Sequence, residues 1–293
     1  MLYLIGSIIL TSWLTISFKY VAKFRINTFQ AIVFNYLTCV ITGSIVNGEI
    51  PFNQTTLGEP WFFWALGMGT IFILLFNVIA QTTQRIGLAV ASVANKLSLV
   101  IPYVFSIYLY EEKSSWVQVG GIALALAAVF LTCYPSGTES KKGPGRVGIL
   151  LMLLPVILFF GSGLLDSMIK YVETVFLNPQ NQDQYLTTAF GSAAAIGLIT
   201  VAIQVLSGEQ NLSLKAAAAG ICIGVPNYFS IWCLIHALNQ FPGESAMIIP
   251  VNNMGIVLFS SVIAALVFSE RLTLINWFGI GLSLFAIALI AFG

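Results

Sequence analysis

The chain has 293 residues, 58% of them hydrophobic and 8% charged, with a formal net charge of +1. A soluble domain of this length could not stay in solution with that balance. A basic nucleic-acid-binding face is excluded as well, because so small a net charge supplies none.

A hydrocarbon core of roughly 30 Å takes about 20 apolar helical residues to cross, and ten such runs follow one another. Runs this long and this apolar are helices rather than alternating barrel strands. The expected fold class is an all-α polytopic membrane protein with ten transmembrane helices. Span one, Tyr3 to Ala22, has no basic stretch before it and no small-residue cleavage site, so it reads as retained rather than as a signal peptide. Lys19 lies in its last turn, where the stem can snorkel. Span two, Thr28 to Val46, carries Asn35, Tyr36 and Cys39. Span three, Trp61 to Gln81, carries Asn77 and Gln81, whose spacing puts them on one face.

Span four, Ile86 to Leu109, places Asn95 and Lys96 near its middle, with Tyr103 a turn or two further on. Ionisable groups at mid-bilayer are rare and functional by default. Lys96 reads as a fixed positive charge for a carboxylate or phosphate, with Asn95 beside it; the alternative is a lysine neutralised by a buried acid or deprotonated by desolvation. Snorkelling is disfavoured, since the side chain is too short to reach an interface from roughly ten residues inside a helix. Span five runs from Trp116 to Tyr134, and Pro135 to Arg146 is the one extended hydrophilic stretch combining Pro, Gly and Ser, a linker.

Span six, Val147 to Tyr171, carries Asp166 and Lys170 four apart, in the favourable order for a helical pair. They either neutralise each other, or Asp166 is the proton carrier of a coupled transporter. Span seven is Tyr185 to Leu206. Span eight, Ala216 to Leu238, brings Asn227, Tyr228 and Trp232 together with His236, the lone histidine, a proton-relay candidate or a hydrogen-bonded packing residue. Span nine, Ser245 to Phe268, carries Asn252 and Asn253, and span ten is Leu274 to Phe292. Buried amides need partners across helices or in a wet cavity. Pro226 and Pro250 free carbonyls beside these amides, which is tolerated where backbone lines a cavity.

Other polar groups have plainer readings. Glu111, Glu112 and Glu270 fall between helices and read as loop charges or helix caps. Cys39, Cys133, Cys222 and Cys233 read as buried small apolar side chains without metal spacing. The glycine pairs Gly67/Gly69, Gly120/Gly121, Gly220/Gly224 and Gly279/Gly281 read as helix-packing sites. No Gly-Lys-Ser/Thr phosphate loop is present, which argues against direct ATP drive, and no cofactor is expected.

The linker divides the chain into residues 1–134 and 147–293, each with five spans. Glu112-Lys113, Gln118 and Gly121 match Glu270-Arg271, Asn276 and Gly279 at a constant offset of 158, which also pairs Asn95 with Asn253. Phe18-Lys19-Tyr20-Val21 parallels Ile169-Lys170-Tyr171-Val172. An odd number of spans per half forces two inverted five-helix repeats, an architecture that puts a transporter's substrate site near the midplane between them. The count of Lys and Arg at the helix ends puts both termini outside.

Ten spans in two inverted halves, each with an acidic-basic pair between its fourth and fifth helices and then a Gly-containing helix (GGIALALAAVFL, FGIGLSLFAIALI), resemble the EamA-type transporters of the drug/metabolite transporter superfamily. The resemblance covers essentially the whole chain. It implies a basket of ten helices around a cavity lined by helices one to four and six to nine, moving small metabolites by alternating access. Pro102 fits the family's proline in the fourth helix, whereas the ninth has Ser260 there and Pro250 upstream. Superfamily members are commonly drawn with cytoplasmic termini, opposite to the charge count. Asn95-Lys96 is similar to the Asn-Lys motif by which nucleotide-sugar transporters of the superfamily hold phosphate, though that motif belongs to the second half, which here reads Asn252-Asn253-Met254.

The resulting expectation is a secondary transporter, not an enzyme, for a small polar or amphipathic metabolite, amino-acid-like and with an anionic group, proton-coupled through Asp166 or His236 or uncoupled. Lys96, Asn95, Asn77, Gln81, Tyr103, Asn227, Tyr228, Trp232, Asn252 and Asn253 are the candidate substrate contacts. An organophosphate or nucleotide-sugar exchanger is the alternative. A membrane enzyme on lipid-linked substrates ranks below both, since it would need converging acids, a metal cluster or an activated nucleophile. The expected setting is the bacterial inner membrane, as a monomer or homodimer.

Overall fold

The computed structural model of the protein describes residues 1–48, 50, 54–110, 115–132, 146–178, 180–240, 245–270 and 272–292, the side chains of 54–55, 106–110, 146–152 and 245–247 apart. The linker 135–145, Cys133, Tyr134, Glu111, Glu112, Lys113 and Arg271 lie outside the described residues. Among the described residues twelve helices follow in order: α1 (Leu2–Lys23), α2 (Thr28–Asn47), α3 (Gln54–Leu57), α4 (Phe62–Arg85), α5 (Leu88–Leu97), α6 (Val100–Tyr110), α7 (Trp116–Thr132), α8 (Arg146–Phe176), α9 (Gln182–Leu206), α10 (Leu214–Gln240), α11 (Ser245–Leu266) and α12 (Leu274–Phe292). Among the described residues, nine helical segments are long and apolar enough to cross a bilayer, with Leu88–Phe105 counted as one, and α7 is a shorter apolar helix. This is the architecture of a multi-pass membrane protein.

Helix ends follow local chemistry. After α1, Arg25 adopts φ 52 and the Ile26 N–H reaches back to the Val21 carbonyl while Arg25 N–H bonds Ala22, a Schellman stop. Asn27 then accepts the Gln30 N–H as N-cap of α2, and Gly48, at φ 72, closes that helix.

Two compact units are assembled from both ends of the sequence. One comprises Met1–Lys19, Val78–Leu164 and Ser230–Gly293; the other comprises Tyr20–Asn77 and Leu165–Phe229. In the second unit α2 packs on α9, and small residues set the spacing: Gly69 lies under Ala189 and Ser192, and Gly197 under Val33 and Ile73. Buried Tyr36 and Phe190 meet half-buried Phe72 and Phe76 in ring contacts, with the Tyr36 hydroxyl donating to the Phe72 carbonyl at 2.9 Å.

In the first unit α7 packs extensively on α12. Ser115 and Gln118 exchange backbone and side-chain bonds at the start of α7, and Thr273 and Asn276 do the same at the start of α12. Each capping amide then crosses to its partner's far end. Gln118 donates to the Ile290 carbonyl at 3.5 Å, and Asn276 donates to the Thr132 carbonyl at 2.9 Å. The helices are therefore antiparallel, with Gly121 against Leu289 and Ile290 and Gly279 against Leu131 and Thr132. Each contact in this set has its counterpart in the other under the offset of 158.

Three expectations change. The pairs Gly67/Gly69, Gly120/Gly121 and Gly279/Gly281 each pack closely through one member, since a Cβ at Gly67, Gly120 or Gly281 would meet nothing within 4 Å among the described residues. Cys222 is exposed rather than buried, because it shares the outward face of α10 with Ile221 and Val225. Span four is broken, with consequences for the site.

Candidate functional site

The apolar run 86–109 predicts one helix with Lys96 deep inside. The helix instead stops at Leu97 and restarts at Val100. Proline is the reason: Pro102 has no N–H for the Ser98 carbonyl four residues back, and its ring crowds that carbonyl. Ser98 takes φ −56, ψ −18, its carbonyl accepts the Ile101 N–H at 2.9 Å instead, and its hydroxyl donates to the Asn95 carbonyl. Lys96, half-buried, thus occupies the last turn of α5, where the helix dipole favours a cation. Asn95 sits beside it, also half-buried.

The other end of α5 carries the complementary charge. Gly87 is its N-cap with φ 156, and the first helical N–H, of Leu88, donates to both Glu270 carboxylate oxygens at 2.9 and 3.1 Å. A Cβ on Gly87 would come within 2.9 Å of Glu270 Oε2, so the close approach of the acid requires glycine there. Glu270 is also paired with Lys19, Nζ to Oε1 at 2.6 Å, with side-chain exposures of 13% and 19%. Lys19 therefore does not snorkel freely; an acid within reach holds its ammonium. Ser269, next to the acid, adopts φ 52, a conformation uncommon for a residue with a side chain.

The remaining predicted residues of this unit have varied surroundings. α11 packs on α5; on it Asn252 is buried with no hydrogen-bond partner for Oδ1 among the described residues, and Asn253 is half-buried. Tyr103 donates its hydroxyl to Gln118 Oε1 at 2.7 Å, joining α6 to the cap of α7. Gln81 is exposed. Trp232 and His236 stack with centroids 3.7 Å apart, Tyr3 stands edge-on to Trp232, and His236 Nδ1–H donates to the Trp232 carbonyl at 2.9 Å.

The other unit holds the rest. Asn77 turns back on the Ile73 carbonyl of its own helix at 2.7 Å. Asn227 donates to Asn35 Oδ1 at 3.1 Å in a fully buried pair, where Gly220 and Gly224 let α10 approach α2. Tyr228 donates to Asn47 Oδ1 at 3.2 Å, and Asn47 in turn lines a polar pocket of about 310 Å³ with Asp183, Gln184 and Thr187. Asp166 lies on an exposed part of α8, with Lys170 half-buried one turn on.

The structure therefore groups Lys96 and Asn95 with the helix break, and Glu270 and Lys19 with the opposite end of the same helix. The pairing of Lys19 with Glu270 has no short-range signature, because 251 residues separate the two in the sequence. Only the repeat offset singles out Glu270, as the counterpart of Glu112.

No protein-family profile matches the chain. An uncharacterized protein of Haemophilus influenzae (strain ATCC 51907 / DSM 11121 / KW20 / Rd) is 26% identical over 292 residues, covering 97% of this chain and 95% of that one. A crystal structure of a protein 14% identical in sequence superposes with a TM-score of 0.58 over 99% of this chain and 96% of the other, a likeness of fold.

Proposed function

We propose that the chain is a secondary transporter that moves a small metabolite with an anionic group across a bacterial plasma membrane by alternating access. The observation that carries this reading is the break at Ser98–Leu99 in an apolar span, with Lys96 in the turn before it. Discontinuous helices with charged or freed polar groups are how transporters build substrate sites inside a bilayer, and a half-buried lysine there selects for an anion. The reciprocal contacts of α7 and α12 under the offset of 158 support two inverted repeats, as in the EamA-type transporters that the sequence resembles. The Haemophilus influenzae relative supports the bacterial setting. A second reading, exchange of organophosphates or nucleotide sugars, is favoured by the adjacency of Asn95 and Lys96 alone.

A thermal-shift screen of the purified protein tests the site. Amino acids, other carboxylates and phosphate esters are added in turn, and a ligand at about 100 times its Kd adds about 2.7 kcal/mol to the folded state. The hits are expected among anions, and K96Q is expected to lose their shifts. Hits confined to phosphate esters favour the exchanger. K96Q melting with every hit as the wild type does would remove Lys96 from the site.

A further inference from the structure

We infer that Glu270 is the positioning residue for Lys96, acting through α5; the functional weight of that position rests on the transport reading above. α5 has ten residues and so is a rod of about 15 Å. Its C-terminal end is a proline-induced break and not a continuing helix, and α11 and α7 pack against its buried length. The N-terminal end is where a charge from another segment takes hold of it. The Leu88 N–H, which has no partner within the helix, is taken by both oxygens of a carboxylate from the turn between α11 and α12, 182 residues away. An anion there also complements the helix dipole, as Lys96 does at the other end.

Lys19 locks this arrangement. Its ammonium, 2.6 Å from Oε1, ties the carboxylate to α1, and α1 is joined to α4 just before α5 begins, through Gln84 Nε2 donating to the Phe18 carbonyl at 3.1 Å. Gly87 admits the acid at a distance that a side chain would deny. Three segments far apart in sequence therefore converge on one end of the short helix whose other end presents the lysine. Removing the carboxylate charge should leave α5 in place but loosely registered, and Lys96 correspondingly less shielded.

The experiment measures the acylation rate of individual lysines in the purified full-length protein, by brief exposure to an amine-acylating reagent and peptide mass spectrometry, well below the melting temperature. In E270Q, Lys96 is expected to react roughly five- to tenfold faster, the factor that weakening a typical helix cap gives; Lys215, exposed on α10, is expected not to change. The charge-swapped K19E/E270K keeps an ion pair but offers Leu88 no acceptor at position 270, and should release Lys96 at least as much as E270Q, whose amide oxygen can still accept the Leu88 N–H. Where E270Q does not fold, K19M retains the acceptor and should show a smaller rise. An unchanged Lys96 rate in the folded variants overturns the inference, and so does a wild-type rate in the swapped pair, which would mean that the ion pair rather than the cap positions the helix. Ligand shifts measured on K96Q keep the two readings apart: retained shifts with a released Lys96 in E270Q would sink the transport site alone.

Discussion

Replacing Glu270 by alanine is expected to lower the unfolding free energy by about 3 kcal/mol, more than any single removal at Lys19. The loss of one member of a buried ion pair typically costs about 3–5 kcal/mol, because the other charge is left desolvated. Here both side chains retain some exposure, 13% and 19%, which tempers that figure, while loss of the α5 cap adds to it by about 1 kcal/mol. Lys19→Met is milder: it leaves the carboxylate with the Leu88 N–H as partner. The double variant K19M/E270A should be more stable than the sum of the singles, since no orphan ammonium remains. Chemical or thermal unfolding of the three proteins in detergent measures the cycle. Additive effects, or a K19M as damaged as E270A, would show that the pair is not what holds this corner.

Gly279→Leu should be the most damaging substitution in the contact of α7 and α12, and Gly279→Ala should exceed Gly121→Ala. A Cβ at Gly279 would stand 2.5 Å from Thr132 Oγ1 and 2.6 Å from the Thr132 nitrogen, the latter a backbone atom that cannot rotate away. At Gly121 the corresponding approaches are longer, 2.9 Å to Ile290 Cγ1 and 3.1 Å to the Ile290 nitrogen, and the shortest is to a side chain and not to backbone. Overpacking costs about 1–3 kcal/mol for an added methyl or two, and leucine adds more. The readout is the folded fraction recovered from membranes and the melting temperature. Equal effects at the two glycines would mean that the helices can part to accept either side chain.

How far the sequence could be read follows from the range of each interaction. Ten apolar runs, the starts of α2, α7, α11 and α12, and the offset of 158 are local or periodic, and composition alone reveals them. The break in span four was legible in part: Pro102 was visible, but an apolar run hides where a helix yields to a proline. The pairing of Glu270 with Lys19 and Leu88 was not legible, because a carboxylate between two helices reads equally as a solvated charge or a cap until the chain is folded. The amides and tyrosines divided in the same way. Asn227 and Tyr228 found partners on α2, Tyr103 found the cap of α7, and Asn252 keeps an unpartnered oxygen; sequence spacing cannot distinguish these outcomes.

The most direct measurement is uptake of radiolabelled anionic metabolites into liposomes containing the purified protein, comparing wild type with K96Q reconstituted at equal density. The expected result is saturable accumulation of at least one carboxylate or phosphate ester in wild-type vesicles, reduced by about tenfold or more in K96Q, as loss of a charge-assisted contact predicts. Uptake by K96Q at the wild-type rate, for every substrate that the wild type moves, would contradict the assignment of the lysine at the broken helix as the substrate's anchor.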